Sequence, residues 1–202
     1  MPLRNPSRRT VLVTASAAAA ALAMPGGAFA LTTDQARALI DKLVGEINAV
    51  IASGKSEGAM IKDFENIFSR YADVNFIALS TLGPAGRGAN KAVLGDYVTA
   101  FRGYLSRKYG KRFREFIGGR LEMDRVKAVK NYLEVRTIAH LRGQSPFDIT
   151  FFVSDRTGKP LFFNMYIEGI NMLLTERTEV GAILDRNRGD LNKTIADLRK
   201  AG

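Results

Sequence analysis

The chain of 202 residues contains no cysteine and no tryptophan, and its only histidine is His140. Without cysteine it can form no disulfide framework, no cysteine nucleophile and no cysteine-ligated zinc site. Serine hydrolysis would require His140 to be oriented by an acid and to face a serine, and a solitary histidine is far more often a surface residue. These absences argue against an enzyme and against a bound metal.

Long apolar runs are also absent. The most apolar segment, residues 11–24, has about 14 residues where a spanning helix needs about 20, so a membrane anchor is the weaker interpretation. Three arginines precede this segment, and Ala28-Phe29-Ala30, which resembles a signal-peptidase site, follows it. Ser7-Arg8-Arg9-Thr10 resembles a twin-arginine signal. We predict an export signal over residues 1–30 and one mature domain over residues 31–202.

Acidic residues are fewer than basic ones. Residues 1–30 hold three of the 30 lysines and arginines and no acidic residue, which leaves 27 basic against 20 acidic residues and about +7 on residues 31–202. In an exported protein this charge indicates anionic headgroups or an acidic protein surface rather than nucleic acid. A solvated helix face is the alternative for the densest basic segment, which contains Arg102, Arg107, Lys108, Lys111, Arg112 and Arg114.

The first half of the mature chain has helical periodicity. Apolar residues recur at spacings of three and four over residues 33–53, 56–71 and 91–109, and a shorter helix is predicted after Asp73. Ordinary core packing is the alternative interpretation for the aromatic face of the segment 91–109.

From Arg120 onwards the period changes to two. Alternation begins at Leu121 and continues over residues 132–141, 147–154 and 161–167, with short turns between the segments. Short turns between alternating segments predict an antiparallel meander. The expected fold class is therefore α+β: a four-stranded, twisted antiparallel sheet wrapped by amphipathic helices.

The sequence has more large apolar side chains than one face of the sheet can bury. The chain has 12 phenylalanines and 6 tyrosines, and Phe151-Phe152 and Phe162-Phe163 place aromatic rings on both faces of neighbouring strands. Either both faces are covered or one lines a cavity. This pattern favours binding over catalysis.

The C-terminal third carries a longer motif, Tyr166-Ile167-Glu168-Gly169-Ile170-Asn171-Met172-Leu173, followed by Arg177. With the order of helices and strands, it resembles the MlaC, or toluene-tolerance, family of periplasmic phospholipid-binding proteins. The chain departs from the family pattern in three places. The strand before the motif usually has a Trp or Tyr and an Asp, and here it reads Pro160-Leu161-Phe162-Phe163-Asn164. Asn171 stands where a serine is common, and Val180 where a phenylalanine is common.

The resemblance implies a soluble, monomeric carrier without a cofactor, located in the periplasm of a Gram-negative bacterium, whose cargo is a diacyl or larger phospholipid. It implies two partners, an outer-membrane MlaA-type lipoprotein complex and an inner-membrane ABC transporter with an MCE-domain (MlaD-type) ring. Shuttling lipid between them would maintain outer-membrane lipid asymmetry. The direction of transport does not follow from the resemblance.

An apolar lipid cavity is then expected between the sheet and the helices. Residues chosen for its wall by face and period are Phe76, Leu79, Val98, Phe101, Leu105, Phe147, Ile149, Phe151, Phe163, Met165 and Ile170. Glu168 and Gly169 are expected to let the last strand turn sharply. Arg177 is expected to clamp the following helix to a carboxylate or to backbone carbonyls, with a headgroup contact as the alternative.

Two other classes of function remain open from the sequence. A small periplasmic enzyme or ligand-sensing module would need Glu122, Tyr132, His140 and Asp148 to converge in a pocket. A structural adaptor of an ABC transport system would have a filled core and no cargo.

Overall fold

The computed structural model describes residues 31–202, apart from the side chains of residues 113 and 114. The predicted export signal, residues 1–30, lies outside the described residues. In residues 31–202, no helix combines the length and apolar content that crossing a membrane requires.

The helices lie close to where the periodicity predicts them. Four precede the sheet and two follow it: α1 (Thr33–Ala52), α2 (Glu57–Tyr71), α3 (Val74–Leu82), α4 (Lys91–Gly110), α5 (Met172–Arg186) and α6 (Leu191–Leu198). Side-chain caps fix several starts: Thr32 and Gln35 form a capping box on α1, and Asn171 accepts from the Leu174 amide at the start of α5. Short 3-10 turns at Gly83–Gly86 and Lys111–Arg114 follow α3 and α4.

The sheet is antiparallel and contains five strands, so the predicted number of four is wrong, whereas the α+β class is confirmed. The strands follow the chain order: β1 (Arg120–Val129), β2 (Tyr132–His140), β3 (Phe147–Ser154), β4 (Leu161–Ile167) and β5 (Ile170–Asn171). Strand β5 has two residues, which is too short for alternation to reveal it. Glu168 and Gly169, both at positive φ (49° and 77°), form the two-residue turn that pairs Ile167 with Ile170.

The helices cover the sheet mainly on one face. Leu133, Val135, Thr137 and Ala139 of β2 are buried on this inner face, and α1 packs across β1, β2 and β3. Helix α2 packs on α1 and α4, while α3 and α5 pack against β4. The inner face of the sheet therefore packs directly on α1, and Phe68 of α2 contacts Phe162 of β4 beside it.

The basic segment on α4 is largely engaged inside the protein. Arg102 pairs with Glu65 at 3.0 Å, and Arg107 donates to the backbone oxygens of Leu198 and Ala201 at 2.6 and 2.8 Å. Lys108 lies 2.8 Å from the Glu176 carboxylate. Lys111 donates to the Gly202 oxygen. These cations fasten α2, α5 and the C-terminus to α4, so most of their charge is not free for docking.

Candidate functional site

An apolar cavity of about 180 Å³ lies between the inner face of the sheet and helices α1 and α2. Alternation places β3 and β4 side chains on its floor, and the stripes of α1 and α2 form its roof. Its apolar lining consists of Leu43, Ile47, Phe64, Ile67, Phe68, Tyr109, Phe116, Leu121, Leu141, Phe147, Ile149, Phe151, Phe162, Met165 and Ile167. Such a cavity suits a ligand that is itself apolar over most of its surface.

The structure brings four of the predicted wall residues to this cavity: Phe147, Ile149, Phe151 and Met165. All four lie on the inner face of β3 and β4, where period-two alternation fixes the side on which a residue falls.

The other seven predicted wall residues do not line the cavity. Phe101 and Leu105 are fully buried in the core on α4, and Val98 packs against that core. Phe76 and Phe163 contact each other edge to face, with ring centroids 5.7 Å apart, under the guanidinium of Arg156. Exposed fractions of 40% and 63% place Leu79 and Ile170 on the surface.

The roof residues were not predicted as wall. The apolar stripes of α1 and α2 are evident in the sequence, but Leu43, Ile47 and Phe64 there look like any other core-facing residues. The sequence signal that could have identified them is the number of apolar residues on α1 and α2. Both helices carry long apolar stripes, and they pack on each other beside one face of the sheet.

Four polar residues border the cavity, and all are exposed: Arg112, Glu115, Gln144 and Glu168. Arg112 and Glu115 follow the end of α4, Gln144 lies in the β2–β3 connection, and Glu168 occupies the β4–β5 turn. Because the apolar lining is buried or half-buried, these four residues mark the mouth of the cavity, which we call the rim.

A buried polar cluster supports one wall of the cavity. The Tyr109 ring lines the cavity, and its hydroxyl donates to Glu176 at 2.9 Å. Glu176 is fully buried and also accepts from Lys108, which lies 2.7 Å from Glu179. Burial and the Glu176 carboxylate raise the pKa of Tyr109, so its hydroxyl keeps its proton. The cluster therefore ties the cavity wall to α5.

Arg177, in the C-terminal motif, lies away from the cavity lining. Its side chain is exposed and rests against Gly83, where an added Cβ would stand 3.2 Å from the Arg177 Nη2. Gly83 has φ 55° and ψ −131°, a conformation that is essentially restricted to glycine. Among the described side chains and backbone groups, the Arg177 side chain has no hydrogen-bond or ion-pair partner, so the clamp stays a prediction.

The residues considered for catalysis lie on the outer face of the sheet. His140 Nε2 is 3.3 Å from Glu122, Asp148 pairs with Arg136, and Tyr132 stacks on Phe152. They border no common cavity with the apolar lining. In residues 31–202, no cluster of histidine and carboxylate groups has the arrangement of a metal site.

One short sequence has the spacing of a hydrolase nucleophile elbow. Gly54-Lys55-Ser56-Glu57-Gly58 matches Gly-x-Ser-x-Gly, but it connects α1 to α2, whereas a nucleophile elbow joins a strand to a helix. Ser56 is the residue that precedes α2. The match is one of spacing alone.

Comparison with known proteins gives a family and a fold. The profile of the family described as MlaC protein matches residues 37–200. A solved structure of a phospholipid-binding protein from Ralstonia solanacearum, in complex with a phospholipid, superposes with a TM-score of 0.70 at 14% identity, over 82% of this chain and 96% of that one. The fold is thus shared with that protein, and because the profile covers nearly the whole described chain, the protein belongs to the MlaC family.

Proposed function

We propose that this protein is a periplasmic phospholipid carrier that exchanges lipid between an outer-membrane MlaA-type complex and an inner-membrane MCE-domain ABC transporter. The observation that carries the proposal is the apolar cavity between the sheet and α1–α2, with its polar rim at the mouth. The predicted export signal supports a periplasmic location. Membership of the MlaC family supports a binding or transport protein rather than an enzyme.

The physical requirement on such a carrier is to keep acyl chains out of water. A diacyl lipid has on the order of 30 methylenes, and exposing them at about 0.8 kcal/mol each would cost more than 20 kcal/mol. The phosphate must stay near water, since burying it without partners is prohibitive. A cavity with aromatic and branched walls and exposed polar groups at its mouth meets both conditions.

Phospholipid as the cargo is supported by the Ralstonia protein, which has this fold and holds a phospholipid. The cavity of about 180 Å³ is smaller than the roughly 300–1,000 Å³ typical of ligand pockets. Loading would therefore separate the roof, α1 and α2, from the sheet. A roof made of two helices can move as a unit without breaking strand pairing.

The direct test is to express the full-length chain in a Gram-negative host, purify the exported protein without detergent, and examine it by native mass spectrometry with lipid extraction. We expect one phospholipid per monomer. A folded, lipid-free protein that takes no lipid from vesicles would contradict the carrier function and favour an adaptor.

A matched pair of variants locates the lipid. Ile149→Trp adds volume inside the cavity, whereas Ile138→Trp adds the same type of ring on the outer face of the neighbouring strand. We expect Ile149→Trp to lower lipid occupancy several-fold and Ile138→Trp to keep the wild-type occupancy. Equal occupancy in both variants would place the lipid elsewhere.

A further inference from the structure

The rim of the cavity carries charges of both signs. Arg112 supplies a guanidinium, Glu115 and Glu168 supply two carboxylates, and Gln144 supplies an amide, all exposed. They come from three separate connections, which follow α4, β2 and β4. The apolar cavity fixes where a lipid headgroup must emerge, and these residues surround that point.

The three charged rim residues are not paired with other side chains that the structure describes. In the described part of the chain, the side chains of Arg112, Glu115 and Glu168 have no hydrogen-bond or ion-pair partner. By contrast, Arg102, Lys108 and Arg136 each pair with carboxylates. The rim charges are therefore available to a ligand.

Two other cationic side chains, those of Lys111 and Arg142, are close to the rim in sequence but make their contacts away from the cavity. Lys111 donates to the Gly202 oxygen at 2.5 Å, and the Arg142 guanidinium rests against Gly118. Neither lines the cavity. Among the side chains that the structure describes, the charged groups that border the cavity are thus one cation and two anions, a net negative set on a chain whose residues 31–202 carry about +7.

We infer that the rim selects a zwitterionic, amine-bearing phospholipid, such as one with an ethanolamine headgroup, over an anionic one. The inference rests on the proposed function. Arg112 pairs with the phosphate, because guanidinium and phosphate match in geometry and charge. The ammonium group, a few bonds further out, then meets Glu115 or Glu168. A glycerol headgroup has no cation for these carboxylates, and its single negative charge faces this net negative set of charges.

The selectivity is expected to be modest because the rim is in contact with water. Exposed charges about 4 Å apart interact weakly in water, so the preference for the zwitterionic lipid should be about three- to tenfold. Salt should reduce it, since exposed charges are screened over about 10 Å at 0.1 M.

The test measures which lipid the exported full-length protein takes from vesicles. The vesicles contain equal amounts of phosphatidylethanolamine and phosphatidylglycerol with the same acyl chains, and native mass spectrometry gives the ratio of the two bound lipids. We expect a ratio of about three to ten in favour of phosphatidylethanolamine for the wild type. In the double variant Glu115→Gln, Glu168→Gln the ratio should fall to about one or below, with total occupancy unchanged.

Two controls separate the rim from overall charge. Asp96→Asn with Asp185→Asn makes the same change in net charge at exposed carboxylates that do not line the cavity, and should keep the wild-type ratio. Arg112→Gln should lower occupancy by both lipids to a similar extent, because both contain the phosphate.

A wild-type ratio near one, or a double variant that retains the wild-type ratio, would overturn headgroup selection and leave the carrier function standing. A change of ratio in the Asp96 and Asp185 control equal to that of the rim variant would also overturn it. A wild type that binds neither lipid would contradict the carrier function itself.

Discussion

Glu176 is a fully buried carboxylate in a predominantly apolar core. One of its oxygens accepts from Tyr109 and Lys108, while the other, Oε2, has no hydrogen-bond partner within the described residues. Such an arrangement is tolerated because Lys108 is close and keeps part of its side chain in solvent. The residue is therefore a specific link between α4 and α5 rather than a generic stabilising pair.

Replacing Glu176 by glutamine should lower the free energy of unfolding by about 1–3 kcal/mol, because a buried amide cannot replace the charged acceptor and leaves a donor unpaired. Glu179→Gln removes the more exposed partner of the same lysine and should cost less than about 1 kcal/mol. Urea unfolding curves of the two variants check this. Equal losses of unfolding free energy in the two variants would show that the burial of Glu176 does not strengthen its pairing with Lys108.

Glu179 should make the free energy of unfolding depend on pH. Partial burial acts to raise the pKa of this carboxyl, but hydrogen bonds from Lys108 and Tyr104 outweigh it and hold the pKa below its usual value. A carboxyl with a lowered pKa contributes stability above its unfolded pKa, and this contribution is lost as pH falls through the folded one. We expect the wild type to lose more stability than Glu179→Gln when pH is lowered below about 4.5. Urea unfolding at a series of pH values measures this, and an equal loss of unfolding free energy in the wild type and in Glu179→Gln would contradict the prediction.

At the scale of elements, two glycines of α4 have opposite roles. A Cβ on Gly110 would lie 2.9 Å from Ile61 Cγ1 and 3.1 Å from its Cα, whereas a Cβ on Gly95 would meet nothing within 4 Å. Gly110→Ala should lower the free energy of unfolding by about 1–2 kcal/mol, since overpacking exceeds the gain in helix propensity. Gly95→Ala should raise it by about 0.5–1 kcal/mol. Thermal unfolding of both variants is the measurement, and destabilisation by Gly95→Ala would contradict the packing argument.

The elements themselves follow from sequence because their signals are local. The predicted segment 147–154 coincides with β3, and the segment 91–109 ends one residue before α4 does. The turn at Glu168 and Gly169 was also expected, since a residue at positive φ favours glycine. Strand β5 was missed because two residues between this turn and the Asn171 cap carry no periodicity.

At the scale of the whole molecule, the cavity is less predictable than the elements that build it. Alternation assigned Ile149 and Phe151 to the correct sheet face, and that face lines the cavity. Helical periodicity showed that Phe101 faces inward, but not that α4 packs on α2 and α6 instead of the sheet. Which apolar faces meet is a property of tertiary packing, so the roof formed by α1 and α2 appears only in the structure.

Under the proposed function, the roof moves to admit lipid, and the whole molecule then has two states that differ in stability. A ligand present at about 100 times its dissociation constant stabilises the folded state by about 2.7 kcal/mol, which corresponds to about 5–10 °C in Tm for a chain of this length. Lipid removal should lower Tm by this amount and increase amide hydrogen exchange mainly in α1 and α2, which cover the cavity. Calorimetry and exchange mass spectrometry on loaded and stripped protein measure both effects. Ile149→Trp, whose ring occupies the cavity, should show a much smaller difference. Exchange changes confined to α5 and α6 would place the moving layer on the other side of the core.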